Sequence, residues 1–156
     1  MRYFAAILIF LTLMTTPAIA DNAFTLTPTL SDNTAGTRFG YETPAFEIGV
    51  EATALLAKNP WDKGDQKIND TYLGLYARKY FDLGGNYVIR PFAGVAGGAE
   101  LKTRGWRCGP EVGVVVPLHK NVAIVPAYQY RFNRGDLAKS NADGGIWSIG
   151  LKIRLK

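Results

Sequence analysis

Apolar and polar residues alternate along most of this chain. In the last ten residues, WSIGLKIRLK, every second position from Trp147 to Leu155 is apolar, while Lys152 and Arg154 fall in the opposite register. A period of two is typical of a β-strand whose two faces meet different surroundings. Runs of this kind recur at 23–30, 37–43, 45–57, 70–81, 86–102, 108–118, 121–133 and 145–155. The pattern therefore predicts an all-β fold with eight strands.

The first twenty residues have a different pattern. Arg2 precedes a mostly apolar stretch at 3–14, and Ala18, Ile19 and Ala20 form a small-x-small cleavage site. These are the features of a secretory signal peptide. The apolar stretch is shorter than the roughly 20 residues that a membrane-spanning helix needs. We predict a signal peptide at 1–20 and one barrel domain at 21–156.

The connections between the predicted strands alternate in length. TPA, DLGGN and HKN are short, whereas SDNTAG, KNPWDKGDQKIN, TRGWR and RGDLAKSNADG are mostly longer and polar. Up-and-down barrels of the outer membrane have short periplasmic turns and longer external loops. An even number of strands then places both termini in the periplasm.

Alternation alone does not separate a membrane barrel from a soluble one, because a lipocalin-like barrel has the same pattern with its apolar face inward. Two further features favour the membrane barrel. Glycines recur in the polar register beside large neighbours, as a narrow lumen requires, namely Gly49, Gly74, Gly94, Gly98, Gly113 and Gly150. Aromatic residues of the apolar register fall near strand ends, where interfacial girdles lie, namely Phe24, Tyr41, Phe81, Tyr87, Tyr130, Phe132 and Trp147. We therefore predict an eight-stranded antiparallel up-and-down transmembrane β-barrel.

Charge and composition narrow the chemistry. The formal net charge is +5, and acidic and basic residues are interspersed, so nucleic-acid binding is not indicated. Cys108 is the one cysteine and His119 the one histidine, so neither an internal disulfide nor a metal-ligand spacing is available. We expect no cofactor and no metal.

The second half of the chain carries a family resemblance. The segments YVIRPFAGVAGGAEL, GPEVGVVVPLHKNVAIVPAYQYRF and WSIGLKIRLK together resemble the ending of small eight-stranded outer-membrane barrels, similar to the transmembrane domain of OmpA and to porin-family surface antigens. The resemblance implies a location in the outer membrane of a Gram-negative cell, with the longer loops outside.

Charged residues in the polar register would lie inside such a barrel, where an unpaired charge costs several kcal/mol. Counting along each strand places partners at matching depths in two layers. The periplasmic layer is predicted to contain Glu47, Glu51, Arg78, Arg90, Lys152 and Arg154. The outer layer is predicted to contain Glu100, Glu111, Arg131 and Gln129.

Prolines interrupt three of the predicted strands. Pro91, Pro117 and Pro126 lack the amide hydrogen that a central strand donates, and a closed barrel has no edge strand. We expect bulges or strand ends at these positions.

Catalysis is not expected. Glu47 and Glu51 share one strand face, but no nucleophile accompanies them. Barrels that modify lipid A use serine with histidine near the outer leaflet, whereas His119 falls in a short turn at the predicted periplasmic end. We interpret His119 as a solvated turn residue, because a catalytic group must first have the required geometry.

The external loops contain candidate contact residues. Arg134, Gly135 and Asp136 resemble an integrin-binding tripeptide, although glycine in a polar loop is also ordinary turn chemistry. Trp61 and Trp106 are candidate anchors for a partner. Packing over the barrel mouth, or a position in the headgroup layer, is the alternative for both tryptophans.

These observations predict a non-enzymatic outer-membrane barrel with a structural or surface-interaction role through its external loops. Two alternatives stay open, a narrow ion or solute channel and a soluble periplasmic barrel that binds an apolar ligand. The expected partners are outer-membrane lipid, lipopolysaccharide, the barrel-assembly machinery and a host or cell-surface partner at the loops.

Overall fold

Eight antiparallel strands close into one barrel, as the alternation predicts. The computed structural model describes residues 22–32, 34–56, 68–83, 89–102, 104–134 and 143–155, so the predicted signal peptide at 1–20 lies outside the described residues. The strands are β1 (Ala23–Ser31), β2 (Thr34–Glu42), β3 (Phe46–Leu56), β4 (Ile68–Tyr80), β5 (Arg90–Glu100), β6 (Trp106–His119), β7 (Val122–Arg134) and β8 (Gly144–Leu155). Each strand pairs with its neighbour in sequence, and β8 returns to pair with β1. The all-β, up-and-down topology is confirmed.

The apolar register of every strand lies on the outside of the barrel. Leu75 on β4 is 67% exposed and Val95 on β5 is 60% exposed, whereas Glu47 on β3 and Lys152 on β8 are 0% and 1% exposed. Successive side chains of a strand point to opposite faces. The barrel therefore has an apolar outer wall and a lumen that contains the charged side chains, beside a smaller cluster of buried apolar residues that includes Phe92, Val115 and Val125.

The two ends of the barrel differ in the connections they carry. The end at which β1 begins and β8 ends also holds the connections 43–45, 81–89 and 120–121. We call it the terminal end. The opposite end, here called the loop end, holds the connections 32–33, 57–67, 101–105 and 135–143.

Two predicted connections differ from the structure. The segment SDNTAG is not a long loop, because β1 continues to Ser31 and β2 begins at Thr34. Inside the lumen, the hydroxyls of these two residues share a hydrogen bond of 2.5 Å, so polar residues extend the ladder instead of leaving it. Conversely, β5 begins at Arg90 instead of residue 86, which lengthens a connection predicted to be short. The length contrast between the two ends is therefore weaker than the sequence indicates.

The prolines behave differently at the three positions. Pro91 is the second residue of β5, and Pro117 precedes a register shift in the β6–β7 pairing, as expected. Pro126 lies in the middle of β7 and pairs with Ile149 without a bulge. The prediction of a bulge or a strand end was therefore wrong at Pro126. The missing amide hydrogen is accommodated because the β6–β7 pairing is interrupted at this position and resumes in the same register.

Aromatic side chains form clusters on the outer wall near both ends. At the terminal end, the ring of Phe24 lies 5.8 Å from that of Phe39 and 5.5 Å from that of Tyr41, and Phe81 is exposed on the same rim. Tyr87, also predicted in this girdle, lies outside the described residues. At the loop end the paired rings are Tyr128 with Trp147 and Tyr130 with Phe132. No helix among the described residues is long and apolar enough to cross a membrane.

Candidate functional site in the barrel lumen

The inner face of β4 supplies the aromatic side chains of the lumen. Tyr72, Tyr76 and Tyr80 lie on this face, with Gly74 and Arg78 between them, because a strand presents every second residue to the same side. All three tyrosines are buried. They form a column of rings along the barrel wall, against which the luminal charges pack.

Glycines on facing strands leave room for these rings. A Cβ atom added at Gly40 would lie 2.3 Å from the Tyr76 hydroxyl, and one added at Gly49 would lie 2.9 Å from the same ring. The residues that pair across β2 and β3 at this level are therefore both glycine. A lumen of eight strands is just wide enough for side chains, so a ring on one strand requires small residues opposite.

Glu47 receives the largest set of contacts in the lumen. Lys152 Nζ lies 2.9 Å from its Oε2 atom, and Arg78 Nη1 lies 3.6 Å from the same oxygen. The hydroxyl of Tyr76 donates to Oε1 at 2.9 Å, and that of Tyr80 donates to Oε2. A buried carboxylate is stable only with such partners, because desolvation of an unpaired charge is costly.

Glu42 gathers three cations at the terminal end of the lumen. Lys152 Nζ lies 3.2 Å from its Oε2 atom, so one lysine bridges Glu42 and Glu47. Arg154 Nε lies 3.0 Å from Oε2, and Arg90 Nη1 lies 2.9 Å from Oε1. These contacts join β2 to β5 and β8 across the lumen.

Ion pairs continue from Glu47 toward the loop end. Arg78 Nε donates to Glu111 Oε1 at 2.6 Å, and Arg38 Nη1 lies 2.7 Å from the other oxygen of Glu111. Arg38 Nε in turn donates to Glu51 at 2.7 Å. One series of alternating charges therefore spans the lumen. We call it the charge chain, which consists of Arg90, Glu42, Lys152, Glu47, Arg78, Glu111, Arg38 and Glu51, with Arg154 as a branch.

Aromatic rings lie beside the cations of the charge chain. The guanidinium of Arg38 lies 5.0 Å from the centre of the Tyr76 ring, and that of Arg78 lies 5.2 Å from it. Arg78 also lies 4.3 Å from the ring of Phe92 on β5. Cation–π contacts of this kind are strongest where water is excluded, so the rings add to the ion pairs.

The loop end of the lumen contains a looser group of polar residues. The guanidinium of Arg107 lies 3.9 Å from the centre of the Tyr72 ring, and its Nη1 lies 3.5 Å from Glu100 Oε1. Arg131 Nε donates to Gln129 Oε1 at 3.1 Å. We call these five residues the mouth cluster. Its ionic contact is longer than the 2.6–2.9 Å contacts that dominate the charge chain.

The structure places the nine charges predicted inside the barrel on its inner face, but their pairing differs from the two predicted layers. Glu111 pairs with Arg78 and Arg38, instead of lying with Arg131 in an outer layer. The ladder explains this contact, because Gly94 of β5 pairs with Arg78 on one side and Glu111 on the other. Tilted strands are staggered, so equal distances from strand ends do not mean equal depths.

Four charged residues of the inner face were missed by the sequence analysis, namely Arg38, Glu42, Asp70 and Arg107. Asp70 lies in the inward register of β4 and accepts hydrogen bonds from the backbone amides of Thr71 and Lys102. Arg38 and Glu42 alternate with the apolar residues of β2, so the polar register already marked them as inward-facing. Arg107 was assigned to the connection TRGWR, whereas β6 begins one residue before it. The glycine and charges around Arg107 resemble a loop, and nothing in that composition predicts a strand.

The predicted loop contacts are only partly described. Trp106 is the first residue of β6 and is 50% exposed on the outer wall, which places it in the rim and not over the mouth. Arg134 ends β7 and lies 3.3 Å from Asp143, whose carboxylate also accepts a hydrogen bond from the Asn133 amide. That backbone hydrogen bond lowers the pKa of Asp143. The remaining contact candidates, Trp61, Gly135 and Asp136, lie outside the described residues.

Other candidate chemistry is placed away from the lumen. His119 is exposed at the end of β6, at the terminal end. Cys108 lies in the outward register of β6, opposite Gly97 of β5 and Phe132 of β7. Within the described ranges, no group of three or more His, Cys, Asp or Glu residues is placed to hold a metal ion.

Comparisons with known proteins bear on the fold alone. No protein-family model matches this sequence, and no curated protein matches it. Among solved structures, a chain from the de novo design of transmembrane β-barrels superimposes with a TM-score of 0.58 at 9% sequence identity. The alignment covers 91% of this chain and 100% of the designed chain. The chain therefore has the architecture of a closed eight-stranded barrel that is similar to transmembrane barrels.

Proposed function

We propose that this chain is an outer-membrane β-barrel of a Gram-negative cell, with its outer wall in contact with lipid and its loop end outside the cell. The single observation that carries the proposal is the distribution of polarity. Charged side chains fill the lumen, and large apolar side chains such as Leu75 and Val95 are exposed around the wall. In water, a continuous exposed apolar surface of this kind is unfavourable, whereas in a bilayer the lipid tails cover it.

The positions of the aromatic residues also support contact between the outer wall and lipid. Clusters of rings lie on the outer wall at both ends of the barrel, where the two bilayer interfaces would be. Tyr and Trp favour the headgroup level because their rings are apolar and their polar groups reach water. The belt of aliphatic residues between the clusters is the part that would meet the hydrocarbon core.

The proposed role is non-enzymatic, a structural or surface-interaction function that the loop end performs. The charge chain ties β2, β3, β4, β5, β6 and β8 together, so the barrel is a rigid support for the connections at that end. Rigid scaffolds with binding residues in their loops are common, because loops tolerate change that the wall does not. The proposed partners are outer-membrane lipid, lipopolysaccharide, the barrel-assembly machinery and a host or cell-surface molecule at the loops.

Neither alternative function has comparable support. A channel would need the charge chain to open, because its side chains occupy the lumen from Arg90 to Glu51. Purified protein in planar bilayers is therefore expected to give no conductance above background, and steady conductance would favour the channel. A soluble barrel for an apolar ligand would need an apolar interior, whereas Glu42, Glu47 and Lys152 are buried there.

Cell fractionation tests the proposal directly. The expressed protein should sediment with the outer membrane, resist extraction by buffer or high salt, and run at different mobilities on gels before and after boiling. Recovery in the soluble periplasm, with one mobility in both gels, would contradict it.

A further inference from the structure

Arg131 differs from the other luminal arginines in its partners. It lies on the inner face of β7, is half-buried, and donates from Nε to Gln129 Oε1 at 3.1 Å. Within the part of the chain that the structure describes, no carboxylate lies within ion-pair distance of its guanidinium. A guanidinium carries five N–H donors, so most of its donors have no protein partner there.

The carboxylates at this end of the lumen have other partners. The charged and titratable groups that interact electrostatically with Arg131 are Arg107, Glu51, Tyr72 and Arg38. Glu51 is already paired with Arg38 at 2.7 Å. Glu100 lies 3.5 Å from Arg107, and Asp70 accepts hydrogen bonds from the backbone amides of Thr71 and Lys102. Among the described residues, Arg131 is therefore the luminal arginine of this end that lacks a carboxylate partner.

A second polar group in the same place is incompletely bonded. The Tyr72 hydroxyl is buried with Glu51 and Arg107 as its polar neighbours, but it makes no hydrogen bond of full geometry with the described residues. The side chain is 1% exposed, so the hydroxyl has lost water as well. A buried hydroxyl without a well-formed hydrogen bond costs free energy that an incoming acceptor would recover.

We propose that the mouth cluster binds one small oxyanion, a carboxylate or a phosphate, which enters from the loop end and is held by the Arg131 guanidinium. The planar fork of arginine matches two oxygens of such an anion. Tyr72 supplies a neutral donor, and Arg107 adds positive charge from the neighbouring strand. The site goes beyond the proposed structural role and depends only on the luminal geometry.

Isothermal titration of the purified barrel in detergent micelles with inorganic phosphate, at constant ionic strength, tests this site. Wild-type protein should bind phosphate saturably, with one ion per chain. Arg131→Met should weaken binding by at least about tenfold, because charge-assisted hydrogen bonds are the strong ones. Tyr72→Phe should weaken it by about two- to tenfold, the effect of one neutral hydrogen bond.

Arg104→Met is the matched control, because Arg104 is an exposed arginine in the connection 101–105 at the same end of the barrel. Its binding should equal that of wild type. If Arg131→Met does not give a heat-modifiable folded band, Arg131→Lys replaces it and should bind phosphate more weakly than wild type, because an ammonium lacks the fork. The absence of saturable binding, or equal binding by wild type and the Arg131 variant, would overturn the proposal.

Discussion

The charge chain and the mouth cluster lie in the same lumen, yet they differ in how completely their charges are paired. Lys152 in the charge chain has carboxylate oxygens at 2.9 Å and 3.2 Å, and Arg78 has one at 2.6 Å. In the mouth cluster, the Arg107–Glu100 contact is 3.5 Å, and Arg131 has an amide oxygen as its partner. The Arg78–Glu47 contact of the charge chain is also long, at 3.6 Å, but both residues have a second, closer ionic partner. Arg131 has no ionic partner among the described residues.

This difference indicates a division of roles between the two regions. Buried charges that each have an oppositely charged partner hold several strands in one arrangement, because separating any partner leaves an uncompensated charge. A partly paired guanidinium near the opening keeps donors for a ligand from solution. The comparison therefore predicts that substitutions in the charge chain affect stability, whereas substitutions in the mouth cluster affect binding.

The largest effect is expected from Glu47→Gln. The amide cannot balance Lys152 and Arg78, so the variant should lose about 3–5 kcal/mol of unfolding free energy. Denaturant titration of the barrel in lipid vesicles measures this loss as a lower midpoint with an unchanged slope. Asp143→Asn is the matched control, since its pair with Arg134 lies at the surface, where water and salt screen it, and the midpoint should stay close to that of wild type. Equal effects of the two substitutions would remove the distinction between the lumen and the rim.

Gly49→Ala is expected to have an intermediate effect. The added Cβ would lie 2.2 Å from the Phe39 carbonyl oxygen and 2.9 Å from the Tyr76 ring. Overpacking of this kind costs about 1–3 kcal/mol. Gly144→Ala is the control, because a Cβ there would meet no atom within 4 Å. The same vesicle titration measures both variants. An unchanged midpoint for Gly49→Ala would show that the strand and the Tyr76 ring move enough to accept the added methyl group.

The smallest effect on stability is expected from Arg131→Met. The variant loses one hydrogen bond to Gln129, which is worth about 1 kcal/mol, and it also relieves repulsion from Arg107. The net change in unfolding free energy should stay below about 1 kcal/mol. A loss comparable to that of Glu47→Gln would mean that the mouth cluster is as structural as the charge chain.

Much of the architecture could be predicted because period two is a local property of the sequence. Every strand from β1 to β8 overlaps a predicted run, and Lys152 and Arg154 are inward-facing because they alternate with the apolar residues of β8. Strand ends were less predictable. Thr34 and Gly36 resemble a polar loop, yet they continue the ladder of β2.

The pairing of charges could not be predicted, because it depends on stagger between strands that are distant in sequence. Glu111 meets Arg78 across Gly94, a contact that follows from two registers and not from any local pattern. Arg107 was missed because its neighbours have loop composition. The sequence analysis therefore identified only part of the group of residues that forms the mouth cluster. Arg131 could be recognised as lacking a carboxylate partner only once Glu51 and Glu111 were seen to pair with Arg38.

Quenching of Trp147 fluorescence shows whether the outer wall faces lipid. The chain has three tryptophans, and the double variant Trp61→Phe/Trp106→Phe leaves Trp147, which is 67% exposed on the outer wall. The protein would be reconstituted in vesicles of phosphatidylcholine with brominated acyl chains. If the outer wall faces lipid, bromines near the headgroup end of the chains should quench strongly and aqueous iodide should quench little. Strong quenching by iodide, with no effect of the brominated lipid, would contradict contact between the wall and lipid.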